Sequence, residues 1–403
     1  LTAFTSDGFT VGSNDSVNKI NNAIVAWAWS AGDATTTIAA GSLNSSLYNQ
    51  DQRWRDNISS SNGWNTSYPV NNIFNGVFDG GGGAANNGNG GSITFTPPAS
   101  IAVTKLELTC YSEVTLELPD GSTQTIAGVG NTNQTVTANI GSGFTFTGSN
   151  SIIISRTAGF IYLEKIKING KELVDDNISL ANVPSIASTV RANPTAGFSI
   201  TTFSGSGAAT FAHGLNSEPS MVILKARTAN TGADDWFVYH KSLGNTKSLF
   251  LNKTDAPGTY TYWTNTTPTS SVVSFGPGLG GPDWVAYCFS PVSGYSAFGS
   301  YEGNSSNDGP FVFTGFRPAF VLTKWADGSD QWQIHDTARS PENVANEILM
   351  PNTNLEEKTY VYSEIDILSN GFKIRNANQN VNASSTYVWA AFASNPFKTS
   401  RAR

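Results

Sequence analysis

The stretch GYSAFGSYEGNSSNDGPFVFTGFRPAFVLTK fills residues 294–324, and it repeats an earlier one. Residues 197–225 open with GFSITTFSGSG and close with GLNSEPSMVILK. In each copy an aromatic follows glycine and a polar, glycine-bearing turn comes next. Glycine and a hydrophobic residue then lead through proline to an apolar run ending in lysine. The runs align as Met221-Val222-Ile223-Leu224-Lys225 against Phe320-Val321-Leu322-Thr323-Lys324. Each copy continues into a tryptophan strand, DDWFVYH at 234–240 and DQWQIHD at 330–336. Each closes on an aromatic strand, WVAYCF at 284–289 and YVWAAF at 387–392. Internal repetition of this kind takes precedence over local propensity. It predicts two β-sandwich units of small-domain size, at 194–291 and 292–403.

Composition agrees. Of 403 residues only 13% are charged, while 23 Phe, 13 Tyr and 10 Trp accompany abundant Gly, Ser, Thr and Asn. That palette suits many short strands joined by polar turns. Helical periodicity is scarce. One short helix is expected near residues 340–349, with Ser340 as cap and Pro341 at the first helical position. The net charge of −7 comes without a basic patch, which argues against a nucleic-acid partner. No apolar run is long enough to span a bilayer, so membrane insertion is not expected. Two cysteines cannot form a disulfide scaffold. In the repeat alignment Ala28, Cys288 and Ala391 share a column, which makes Cys288 a packing residue.

Residues 36–176 interrupt the repeats. A glycine- and asparagine-rich loop at 80–92 is followed by alternating strands: VTKLELTCY at 103–111, VTLEL at 114–118, and a last one carrying Ile161, Leu163, Ile166 and Ile168. Seven or eight such strands predict a jelly-roll-like domain. Residues 177–193 read as a linker. Residues 1–35 read as the C-terminal strands of an upstream repeat unit. They share a Gly-Phe start, a Val-Asn pair (Val17-Asn18 against Val381-Asn382) and a Val/Trp/Ala finish with residues 369–394. The expectation is all-β: tandem β-sandwich units, an intervening jelly roll and little helix.

The tandem motifs, with DWVAYCFSPV at 283–292 and the terminal ASNPFK, resemble a repeated module of marine bacteriophage virion proteins of tail-fibre type. SYPVNNIFNGVFDG at 67–80 and EKIKINGKELVD at 164–175 resemble the first and last strands of galactose-binding-like jelly rolls. The resemblance implies a virion component facing the extracellular side, assembled as a homo-oligomer, most simply a trimer, with other virion proteins. It also implies that β-domain loops meet a host-surface glycan. A structural calcium ion is sometimes held near the FDG segment of such jelly rolls, which makes Asp79 its candidate ligand. No other cofactor is implied.

Catalytic constellations are weak. His240 and His335 follow Trp236 and Trp332 at offsets of four and three, so a period of two puts them on opposite faces. His213 lies in a turn. The acid pairs Asp234/Asp235, Glu356/Glu357 and Asp175/Asp176 are adjacent and read as solvated turn acids. Glu113 and Glu117 share a strand face with no nucleophile nearby. Sugar contacts are better served: Trp54, Trp64, Tyr68, Tyr262 and Trp263 lie in polar, loop-like sequence, where ring faces are available for stacking. A non-enzymatic fibre or adhesin is therefore expected. A purely structural virion protein and a glycan depolymerase are the alternatives.

Overall fold

Strands dominate the computed structural model of the protein, which describes residues 1–5, 8–43, 48–76, 83–126, 134–176, 183–205, 207–228, 234–276, 283–359 and 361–394. Among these residues helix is confined to single turns such as Asp15–Asn18 and Gln379–Asn382. The chain forms two compact units. One holds residues 36–188 and 210–212; the other holds 1–35, 189–209 and 213–403.

The first is the jelly-roll unit. Its principal strands are β1 (Tyr48–Asn49), β2 (Ile58–Ser60), β3 (Gly91–Phe95), β4 (Leu106–Cys110), β5 (Val114–Glu117), β6 (Thr123–Ile126), β7 (Gln134–Thr137), β8 (Ile152–Arg156), β9 (Tyr162–Ile168) and β10 (Lys171–Leu173). One sheet runs β6-β5-β8-β3-β2, and the other β7-β4-β9-β10-β1, with Ala84–Ala85 also paired to β9. Alternation sends Ile93, Phe95, Leu116, Ile152 and Ile154 from the first sheet into one core with Leu106, Leu108, Leu163 and Ile166 from the second. Trp54 is only 1% exposed; it packs 6.4 Å from Phe95 and donates its indole N–H to the Asn49 carbonyl.

The second unit builds one sheet twice. Repeat 1 contributes β11 (Phe198–Ser204), β12 (Met221–Ala226), β13 (Trp236–His240) and β14 (Asp283–Phe289). Repeat 2 contributes β15 (Ser296–Glu302), β16 (Phe311–Phe313), β17 (Pro318–Trp325), β18 (Gln333–Asp336), β19 (Ile365–Leu368), β20 (Gly371–Ile374) and β21 (Thr386–Ala393). The order β13-β12-β14-β11 returns as β18-β17-β21-β15. Register returns as well: Val222 opposes Cys288 as Val321 opposes Ala391, and Met221 opposes Phe289 as Phe320 opposes Phe392.

In repeat 2 one sheet face covers a second layer, β16-β20-β19, through Val321, Trp389 and Ala391 against Phe372 and Ile374. The other face packs on its counterpart in repeat 1. Phe198, Met221 and Phe289 meet Phe320, Leu322 and Phe392 in a single core. Burying one such side chain is worth about 1.5–3 kcal/mol, so this seam dominates the join. Polar clasps cross it: Trp332 Nε1 donates to Phe250 O (2.8 Å), Lys324 Nζ donates to Thr254 O (3.2 Å), and His240 Nε2 lies 3.1 Å from Trp389 O.

The N-terminal segment differs from its sequence reading. Among the described residues Ala3–Phe4 pairs only with Phe9–Thr10, and residues 23–31 carry no strand. Trp27 and Trp29, two residues apart and so on one side of an extended chain, turn onto the seam. Trp29 meets Phe289, Phe320 and Phe392 edge-on at 6.2, 5.6 and 5.3 Å. The segment is held at Gly32, whose carbonyl accepts from Arg191 Nε at 2.7 Å.

Two other readings change. Residues 340–349 form no helix. The Asn343 side chain bridges the backbone of Ile367, and Ala345 exchanges hydrogen bonds with Ile365. These bonds to a distant segment outweigh a helix too short to hold itself. Within the expected linker, Ser188–Asn193 is a strand, with Ser188 and Val190 buried and Thr189 and Arg191 exposed.

Candidate functional site

Three aromatic side chains gather around Tyr162 in the jelly-roll unit. Tyr68 lies 5.5 Å from it at 87°, Tyr111 5.8 Å at 69°, and Phe160 5.9 Å at 55°. Tyr68, Tyr111 and Phe160 are 39%, 38% and 40% exposed, so each shows a large apolar surface to solvent. Scattered exposed aromatics need no explanation; a contiguous cluster does.

Strand ends assemble it. Tyr111 lies one residue past β4, and Tyr162 starts the neighbouring β9; Tyr111 N donates to Tyr162 O at 3.3 Å. Ala85 bridges the other side: it receives a bond from Asn65 N and donates to Tyr68 O, both at 3.0 Å. Asn86 is fully buried and ties the loops together. Its Oδ1 accepts from Ile161 N at 2.7 Å, and its Nδ2 donates to Gly90 O at 2.6 Å. The Phe160 carbonyl is held by Arg156 Nη1 (2.9 Å) and Ser112 Oγ (3.3 Å). The platform is therefore fixed in advance, and exposed Ser67, Asn87 and Thr157 on the same loops supply hydrogen-bonding groups. Ring faces of this kind suit the C–H faces of a sugar, and hydroxyls and amides suit its hydroxyl groups.

Of the expected contact residues, Tyr68 belongs to this cluster. Trp64 is half-buried beside it, packed on the core and bridged to Asn86. Trp54 and Trp263 are corrections: both are buried in cores, Trp263 against Tyr239 at 5.7 Å, and neither offers a face to a ligand. Tyr262 is half-buried in the repeat unit, stacked on Tyr260 at 4.5 Å. Asp79 lies outside the described residues. Tyr111, Phe160 and Tyr162 escaped the sequence reading because they fall at the margins of strands, where alternation reads as core. Their one local signal is an aromatic at the boundary of an apolar strand and a polar turn.

The histidines are separate and buried, each with Nε2 against a backbone carbonyl: His213 to Thr269 O (3.1 Å), His240 to Trp389 O (3.1 Å) and His335 to Ser363 O (2.7 Å). Burial pushes all three down to about 4. Burial likewise pushes the Cys110 and Cys288 thiols up to about 12. Asp175 is another correction: it is fully buried and bonded to the Arg55 guanidinium and main-chain N–H. Asp235 pairs with Lys253 at 2.7 Å. Among the described residues, no three His, Cys, Asp or Glu side chains gather as a metal site would require.

The fold defines an all-β protein with a jelly-roll unit and a duplicated sheet. The chain belongs to the family described as a domain of unknown function, DUF7483, whose pattern matches residues 131–396. No curated protein matches it. Discoidin II from Dictyostelium discoideum is similar over 58% of this chain and 93% of its own, at 11% identity and a TM-score of 0.20, a likeness too loose to transfer a property.

Proposed function

We propose that the protein is a non-enzymatic attachment protein whose jelly-roll unit binds carbohydrate through the Tyr68–Tyr111–Phe160–Tyr162 platform. The single observation that carries this reading is that rigid, solvent-facing cluster. In this reading, motivated by the sequence resemblance, the protein is a component of a virion fibre, displayed as a homotrimer with other virion proteins against a host-surface glycan. Display in several copies turns weak sugar contacts into firm adhesion. A structural ion beside Asp79 is compatible with this role, and no other cofactor enters it.

A glycan array probed with the full chain tests the proposal. Binding to a defined set of glycans is expected, and Tyr68→Ala and Phe160→Ala should each remove most of it while leaving the melting temperature nearly unchanged. Retention of the same glycans by both variants would refute the platform. Release of reducing ends from a bound polysaccharide would refute the non-enzymatic role, and a single-chain mass by light scattering would refute the trimer.

A further inference from the structure

The strand pair and turn at residues 3–18 reproduce a piece of repeat 2. Phe4 opposes Phe9 as Ile367 opposes Phe372, and Ala3 opposes Thr10 as Asp366 opposes Lys373. One helical turn follows in each, Asp15–Asn18 and Gln379–Asn382. Val17 N and Asn18 N both donate to Asn14 O (3.1 and 2.9 Å), as Val381 N and Asn382 N donate to Asn378 O (3.2 and 2.8 Å). The closing asparagine also reaches back the same way. Asn18 Nδ2 donates to Gly12 O at 2.9 Å, and Asn382 Nδ2 donates to Asn376 O at 2.9 Å.

In repeat 2 one continuous segment, residues 301–313, covers that piece. Tyr301 Oη donates to Val381 O at 2.8 Å. Asn304 N donates to Asn382 Oδ1 at 2.8 Å, and Asn382 Nδ2 returns a bond to Asn304 Oδ1 at 3.0 Å. Gly303 lies so close to the Ala383 carbonyl that no Cβ would fit. Ile374 N donates to Pro310 O at 3.0 Å, and β16 then pairs along β20 with Val312 opposite Phe372. At residues 3–18 the corresponding groups are open. Among the described residues Phe9–Thr10 has a strand partner on one edge only. Phe9, Val17 and Asn18 are exposed where Phe372, Val381 and Asn382 are buried. An open strand edge beside exposed apolar side chains is a template for a further strand.

We propose that residues 3–18 are a docking surface for an extended segment of another polypeptide with the chemistry of residues 301–313. That segment carries a tyrosine, Gly-Asn beginning two residues on, and a proline leading into a short aromatic strand. Its strand adds to the free edge of Phe9–Thr10, its asparagine exchanges bonds with Asn18, and its tyrosine hydroxyl donates to the Val17 carbonyl. Residues 301–313 themselves are already held by residues 371–382, so the occupant is a further segment of this pattern.

A fluorescein-labelled peptide with the sequence of residues 301–313, titrated with the full chain and followed by anisotropy, tests this. Saturable binding of one peptide per chain is expected. Asn18→Ala and Phe9→Ser should each weaken it by at least about tenfold without moving the melting temperature, since both side chains are exposed. Substitutions in the peptide leave the protein untouched: Gly303→Ala should abolish binding, and Tyr301→Phe should weaken it by about threefold to tenfold. No binding, or equal binding by the Asn18→Ala and Phe9→Ser chains, would overturn the site. Loss of binding in Asn382→Ala but not in Asn18→Ala would show exchange into repeat 2, and would overturn it too. A concentration-dependent mass of the unlabelled chain that Asn18→Ala abolishes would make the occupant a second copy of this chain, and would overturn the assignment to a different polypeptide.

Discussion

Mild acid should unfold the repeat unit through its histidines. His213, His240 and His335 are 0%, 2% and 0% exposed, and each is held neutral with Nε2 against a backbone carbonyl. His335 also has Arg339 and Asp336 nearby, with opposing effects on its charge. The folded values lie at about 4, against an ordinary value of about 6.5 in the unfolded chain. Above the higher value neither state binds protons, and the full stability is present. Between the two values the unfolded chain binds protons that the folded chain refuses, so stability is lost as pH falls. At pH 5 each ring contributes a factor of about 30, or about 2 kcal/mol, and three rings about 6 kcal/mol. That is comparable with the roughly 5–15 kcal/mol that holds a typical domain together. Urea titrations followed by tryptophan fluorescence from pH 8 to pH 4.5 would measure it. Near the middle of the window the slope should correspond to uptake of close to three protons on unfolding, about 4 kcal/mol per pH unit. His240→Gln should lower that slope by about a third. A midpoint that stays constant between pH 7.5 and pH 5 would refute the argument.

Other perturbations have defined outcomes. Asp175→Ala leaves the partly buried Arg55 guanidinium without its counter-charge, and should cost about 3–5 kcal/mol in the jelly-roll unit by denaturant titration. Cys110 and Cys288, buried with thiols raised to about 12, should resist a thiol reagent in the native protein and react fully in denaturant. Gly197 and Gly294 open the two repeats with φ of +63° and +74°, but an added Cβ would lie 2.3 Å from Ser290 O at the first and meet nothing within 4 Å at the second. Gly294→Ala should therefore cost about 1 kcal/mol from the backbone alone, and Gly197→Ala measurably more, by comparison of urea midpoints.

The repeats were legible because one hydrophobic pattern occurs twice, and a pattern that fixes which residues face inward also fixes register. The column joining Cys288 to Ala391 is the same position opposite Val222 and Val321. The candidate site was legible only in part. Tyr68 stood out in polar sequence, but its companions come from two other places in the chain, and only pairing of β4 with β9 brings Tyr111 to Tyr162. The same limit applied to Trp54 and Trp263, whose polar neighbours concealed that their rings point inward. Residues 23–31 kept the pattern of a closing strand yet formed none. What decides their conformation is the seam that receives Trp27 and Trp29, and no local pattern records a receiving surface.

The seam between the repeats also separates the unit of duplication from the unit of folding. A lone copy would expose Phe198, Met221 and Phe289, or Phe320, Leu322 and Phe392, to water along a whole sheet face. The copies are thus partners by construction, with mismatched polar complements: Trp332 has a carbonyl to reach only in the other repeat, and so has His240. Substitutions on one side of the seam must be answered on the other. The two halves are expected to diverge as a pair, conserving the fit between them more strictly than their likeness to each other.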